Sequence, residues 1–188
     1  IDGSNGQVLK TDGDGTLSWV TDSDSSGASA LNNLSDVLIE ATSSMYIGND
    51  PESTTDGANY NLGIGVTTLD AITTGDGNIA VGHDALTANT TGAKNLAIGK
   101  GALDAADTEN DNIAIGYDAL GGAVAEGEFN VAIGNYSLDA LTAGDYNVAV
   151  GDNTLSANTT GNYNTATGSW ALNKNLGGNL NTAIGEEA

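Results

Sequence analysis

From Met45 onward, apolar residues return in short alternating triplets. Leu62-Gly63-Ile64, Ile79-Ala80-Val81, Leu96-Ala97-Ile98, Ile113-Ala114-Ile115, Val131-Ala132-Ile133 and Val148-Ala149-Val150 each place two large residues around a small one, after an Asn and before a Gly. Period-two alternation closed by Gly predicts a brief β-strand. The Asn residues are Asn61, Asn78, Asn95, Asn112, Asn130, Asn147, Asn164 and Asn181, at intervals of 17, 17, 17, 18, 17, 17 and 17. Ser44 lies 17 residues before Asn61 and heads the same frame, so the registers number nine. The one extra residue falls between Leu120 and Gly127. A fixed short period signals a solenoid in which each repeat is a coil stacked on its neighbour. The expected fold is all-β, a parallel β-roll of nine coils of ~17 residues; strands ~4.8 Å apart would make a rod roughly 43 Å long.

Each column of the repeat carries its own expectation. β-branched residues dominate the position three after the Asn (Ile64, Val81, Ile98, Ile115, Ile133, Val150, Thr167, Ile184), which suits extended chain. The invariantly small residue between the two large ones, Ala80 for example, suggests close approach of another layer. Both strand faces then look buried, and a second chain packing on one of them explains that better than a lone coil. Gly65, Gly82, Gly99, Gly116, Gly134, Gly151, Gly168 and Gly185 close the strands, where a turn or a close neighbour excludes a Cβ. A second Gly column (Gly75, Gly92, Gly127, Gly144, Gly161, Gly178) suggests a second turn, hence two short strands per coil. Leu69, Leu86, Leu103, Leu120, Leu138, Leu155 and Leu172 are expected to fill the interior. The Asn side chains are expected to form a structural hydrogen-bonded ladder from coil to coil.

The first 43 residues read differently. Gln7–Thr11 and Thr16–Val20, around Asp-Gly-Asp-Gly, predict a β-hairpin leader over residues 1–22. A polar linker and entry segment follows over 23–43, in which Leu31, Leu34, Val37 and Leu38 leave a short helix and a β-entry both open. The roll is expected over 44–188. A chain that starts at Ile1 and stops one residue before the next Leu of the repeat reads as a fragment of something longer.

Charge narrows the partners. Four lysines, no arginine and 25 acids give a formal net charge of −21. Phosphate recognition needs clustered cations, so no nucleic acid and no anionic membrane surface is expected. No apolar run reaches the ~18 residues of a membrane span, so no membrane insertion is expected. Without Cys, neither disulfides nor thiolate metal sites are available.

Few residues suggest chemistry. Asp12-Gly13-Asp14-Gly15 loosely resembles a calcium loop, but Leu17 and Trp19 occupy its ligand region, and a hairpin turn is the expectation. His83 is the only histidine and falls in a variable turn, so no catalytic site and no metal site is expected. Asp107, Glu109, Asp111 and Glu186-Glu187 read as solvated turn charges. No cofactor is expected, and stacked acids could attract Ca²⁺ only weakly. Phe129, Tyr146 and Tyr163 precede the Asn in three successive coils, with Tyr60 further back. They predict an aromatic ladder, with a sugar-binding strip as the alternative. Tyr136 and Trp170 sit two residues past the Gly, in the turn whose identity varies most; variable positions on a rigid scaffold are where recognition usually lives. Thr73-Thr74, Thr90-Thr91 and Thr159-Thr160 raise an ice-binding array, which the other coils interrupt.

The run NIAVGHDALTANTTGAKNLAIG resembles the head repeats of trimeric autotransporter adhesins. The spacing ALTANTTGxxN and the leader GQVLKTDGDGTLSWV resemble bacteriophage tail fibres, marine ones especially. The resemblance implies a left-handed, intertwined homotrimer in an extracellular or virion fibre that acts as a rigid spacer and contacts a host-surface glycan or protein. A bacterial surface adhesin is the alternative owner. A polysaccharide-degrading tailspike would need a distinctive acid pair, which no coil supplies.

Overall fold

The computed structural model describes residues 7–11, 17–21, 37–39, 44–47, 57–122 and 126–188. The chain divides into two units, Ile1–Ser35 and Asp36–Ala188. In the first, β1 (Gln7–Thr11) and β2 (Leu17–Thr21) pair antiparallel, Gln7 opposite Thr21. The hairpin is as expected, its second strand one residue later. The Asp12–Gly15 turn lies outside the described residues, as does most of the 23–43 segment.

In the second unit, β3 (Val37–Ile39) pairs antiparallel with β4 (Met45–Ile47), so the entry segment contributes a strand. Nine parallel strands then stack in sequence order. They are β4, β5 (Leu62–Ile64), β6 (Ile79–Val81), β7 (Leu96–Ile98), β8 (Ile113–Ile115), β9 (Val131–Ile133), β10 (Val148–Val150), β11 (Thr165–Thr167) and β12 (Thr182–Ile184). Equivalent residues pair, Ala80 with Ala97 and Ala97 with Ala114, so the coils stack without slippage. The fold is an all-β solenoid with a repeat of about 17 residues. The extra residue before Gly127 leaves the register intact, because Ile113 still pairs with Val131.

Backbone hydrogen bonds stitch the coils all round. In the β6 coil, Ile79 N–H donates to Asn95 O at 2.8 Å, Gly82 N–H to Ile64 O at 2.8 Å, Leu86 N–H to Ala102 O at 3.1 Å and Thr90 N–H to Asp107 O at 2.8 Å. Buried backbone groups must be paired, and this pattern pairs them one coil up or down. The expectation of two strands per coil is not met: among the described residues each coil has one. The rest of the coil bends too often to pleat. The β6 coil places Gly77, Gly82, Asp84 and Leu86 at positive φ, of 69°, 137°, 60° and 51°. Each left-handed non-glycine residue costs about 1–2 kcal/mol, a cost offset by the coil-to-coil bonds it permits.

The interior corrects a second expectation. Ala80, Ala97, Ala114, Ala132, Ala149 and Ala166 are fully buried, and they share one core with the Leu column from Leu69 to Leu155. The layer that approaches the Ala column is therefore the far wall of the same roll. The flanking β-branched residues point the other way and are half-exposed or exposed, as the intermediate–buried–intermediate pattern of β8 and β10 shows. One strand face is buried within the chain; the other is open. The Ala column breaks at Gly63 for a steric reason. Tyr46 occupies the matching place in β4, and a Cβ on Gly63 would stand 2.9 Å from its ring.

Candidate functional site

The surface that could contact anything begins with what holds it rigid. Asn147 is fully buried. Its Oδ1 accepts from Asn164 N–H at 3.0 Å and its Nδ2 donates to Gly161 O at 2.8 Å. The same two bonds recur for Asn61, Asn78, Asn95, Asn112, Asn130 and Asn164. Ser44 heads the column, its Oγ accepting from Asn61 N–H at 3.1 Å. Asn181 closes it, donating from N–H and Nδ2 to Asn164 Oδ1 at 3.0 and 2.9 Å. The Gly column is equally constrained. Gly65, Gly82, Gly99, Gly116, Gly134, Gly151, Gly168 and Gly185 have φ between 127° and 142°, and a Cβ on Gly65 would lie 2.6 Å from Gly82 O.

A second column of Asn residues, buried at Asn89 and Asn158, went unnoticed in the sequence. Asn158 Nδ2 donates to Gly161 O at 3.1 Å, and its Oδ1 accepts from Gly161 N–H at 2.9 Å. Asn89 and Asn175 make the matching bond to Gly92 and Gly178. The signal was present as Asn-x-x-Gly: Gly is required because a Cβ would collide with the Asn Oδ1, 2.5 Å away at Gly161. One coil solves the problem differently. Glu109 replaces the Gly, Ala106 replaces the Asn, and Glu109 Oε2 accepts from the Asp107 and Thr108 amides at 2.8 and 3.0 Å. Glu109 is 3% exposed, so its reading as a solvated turn charge is corrected. The Thr array is also occupied internally: Thr73, Thr142 and Thr159 donate their hydroxyls to the carbonyls of Thr90, Thr159 and Leu176.

On this scaffold the exposed large apolar residues gather beside the strands. The strand face shows Ile79, Ile98, Ile133 and Ile184. The column just before the Asn shows Tyr60, Phe129, Tyr146, Tyr163 and Leu180; the two positions after the closing Gly show Val66, Tyr117, Tyr136 and Trp170. Phe129 stacks on Tyr146 with centroids 4.9 Å apart at 6°, and Tyr146 on Tyr163 at 5.0 Å and 2°. Rings stacked face to face present their edges outward, whereas a sugar needs a free face, so the inside of this ladder is poorly shaped for a saccharide. Tyr136 and Trp170 are not brought together, since the Asn153 coil separates them. Tyr136 instead meets Tyr117 edge-on at 5.3 Å, and Lys100 Nζ lies 5.5 Å above the Tyr117 ring.

The polar remainder is modest. His83 Nδ1 lies 2.5 Å from Asp84 Oδ2 in an exposed turn. Burial raises the Asp104 pKa above the usual carboxylate value, aided by the Asp118 and Asp84 charges; Asp139 is raised by burial and by Asp118. Among the described residues, no group of three or more His, Cys, Asp or Glu is arranged to hold a metal ion. An open recess of about 540 Å³ on the last coil is lined by Trp170, Leu172, Lys174 and Asn181, among others. No helix among the described residues is long and apolar enough to cross a membrane.

No protein-family model matches the chain, and no curated protein or solved structure is significantly similar to it.

Proposed function

We propose that this chain is a rigid segment of a homotrimeric extracellular fibre, built as a left-handed, intertwined β-roll. The observation that supports it most is the open strand face. Half-exposed Ile and Val side chains run along β5–β10, flanked on both sides by exposed aromatics, in a chain of net charge −21. Contiguous apolar surface of this kind ordinarily marks a protein interface. Three copies around a common axis would cover it and leave the acidic outer wall in water. The role is mechanical: coil-to-coil bonding gives a stiff spacer, and the outer wall left in water offers a surface for a host glycan or protein.

The owner we favour is a bacteriophage tail fibre, on the resemblance of the leader and of the repeat spacing; a bacterial trimeric adhesin is the alternative. The test of the assembly is light scattering on residues 1–188. Three times 18.7 kDa is expected, and the single-chain mass would refute the trimer. A membrane-barrel anchor in neighbouring sequence would overturn the phage reading. The role is non-enzymatic, and release of new reducing ends from a host polysaccharide would overturn that.

A further inference from the structure

We infer that neighbouring chains of the trimer meet one coil out of register, the column before the Asn in one chain facing the turn of the preceding coil in the next. This inference rests on the trimeric reading above and adds its register. In a cyclic assembly with parallel chains, contacts are heterologous. If the open strand faces surround the axis, all strands run the same way round it. The start flank of one chain then meets the end flank of its neighbour.

Those two flanks can be read against each other, coil by coil, in three registers. Flush pairing matches rings, Phe129 against Tyr136 and Tyr163 against Trp170, but sets Lys94 against Lys100 and Asp111 against Asp118, like charge on like, and Leu180 against Glu186 and Glu187. Pairing with the following coil sets Lys94 against Asp118 and Tyr146 against Trp170, but leaves Asp111 against Tyr136, Phe129 against Asn153 and Tyr163 against Glu186 and Glu187. Pairing with the preceding coil sets Lys94 against Asp84, Asp111 against Lys100, Phe129 against Tyr117, Tyr146 against Tyr136 and Leu180 against Trp170. Only this register matches both ion pairs and the aromatics together, and the remaining pairs, Gly77 with Thr67 and Tyr163 with Asn153, conflict with nothing. The residues are available for contact: Lys94, Lys100, Tyr117, Phe129, Tyr136, Tyr146, Trp170 and Leu180 are exposed, and Asp84 and Asp111 are partly so. The geometry is attainable. Six residues at ~3.3 Å span about 20 Å, so falling one ~4.8 Å coil between flanks takes a strand tilt of about 13°. Tilt and stagger are linked in the same way when sheets close into barrels. Opposed like charges are the usual means of rejecting a wrong register.

Two experiments on residues 1–188 decide it. The chain has no Cys, so paired substitutions report register directly. Tyr136→Cys with Tyr146→Cys is expected to give a three-chain band on a non-reducing gel. Tyr146→Cys with Asn153→Cys (flush) or with Trp170→Cys (following coil) is expected to stay single-chain. Cross-linking through either of the latter overturns the register, as does its absence from all three while light scattering still shows a trimer. A single-chain mass for the unsubstituted protein would instead remove the trimeric reading itself. The second variant avoids any loss of ring packing. Lys94→Asp with Asp111→Lys exchanges two charges within one column, leaving net charge unchanged. In the proposed register it makes both inter-chain pairs repulsive, and the trimer dissociation constant should rise about tenfold at low salt, an effect lost near 1 M salt. In the flush register the same exchange makes both pairs attractive. Tighter assembly, or none of the expected weakening, would overturn the proposal.

Discussion

The Asn ladder allows a prediction that separates two residues with the same burial and the same motif. Asn130→Ala removes the only side-chain amide that, among the described residues, donates to Gly144 O, at 2.8 Å, because Leu141 stands where three coils have Asn89, Asn158 and Asn175. It also removes the acceptor of Asn147 N–H at 3.0 Å. Two buried backbone groups are orphaned at about 1–3 kcal/mol each, so about 4 kcal/mol is expected. Asn147→Ala orphans Asn164 N–H in the same way, but Gly161 O keeps the Asn158 amide at 3.1 Å. One orphan is left, and about 2 kcal/mol is expected. The cavity left by the lost amide is the same in both, so it cancels in the difference. The assay is urea unfolding followed by far-UV circular dichroism at fixed protein concentration, paired with hydrogen exchange at the amides of residues 147 and 164. Exchange isolates local opening, which matters in a solenoid whose coils contact only their neighbours. Adding Asn158→Ala to Asn147→Ala should more than close the gap to Asn130→Ala, because it removes both the second amide on Gly161 O and the Oδ1 acceptor of Gly161 N–H at 2.9 Å. An Asn147→Ala at least as costly as Asn130→Ala would refute the reasoning, as would losses under about 0.5 kcal/mol for both, the scale of a surface substitution.

Three further outcomes are expected. Gly116→Ala combines a φ of 142° with a Cβ 2.5 Å from Gly134 O, so it should cost more than about 3 kcal/mol and lower the melting temperature sharply. Ala106→Asn alone should destabilise, because its amide meets the Glu109 side chain; with Glu109→Gly the Asn-x-x-Gly turn is rebuilt, and stability should recover in a thermal melt. The raised pKa values of Asp104 and Asp139 mean the folded chain holds protons that the unfolded chain has released. Their contribution is therefore fully present below the unfolded value near 3.8 and is lost as pH rises through the raised folded values. Asp104→Asn with Asp139→Asn should flatten that decline in a urea-midpoint series from acid to neutral pH; a decline that steepens would contradict the sign.

Much of this fold was legible because each rule it obeys repeats. A three-residue strand carries little signal, but nine in one frame, each opened by Asn or Ser and closed by Gly, carry a great deal. The Leu column and the aromatic ladder could be read for the same reason, since a side chain repeated at the coil period must stack on its copies. Glu109 was misread because a single exception in a column gives no hint of its surroundings, and only the structure puts the Asp107 and Thr108 amides around its carboxylate. Asn89 and Asn158 were missed because their column alternates with Ile72, Ala106 and Leu141 and so shows no fixed letter.

The amino-acid sequence by itself determined the period, the strand positions, the parallel in-register stack and the residues that close each strand. It did not determine which way the strand faces. Alternation of large and small residues states that two faces exist, but is silent on which one is inside. The tertiary structure decided that by volume. From β6 to β11 the Leu column already fills the narrow roll, leaving room opposite for nothing larger than Ala, so the bulky Ile and Val turn outward; Tyr46 in β4 fits only because Gly63 beside it gives up its side chain. It also decided that a coil has one strand, because repeated left-handed residues such as Leu86 keep the far wall bent.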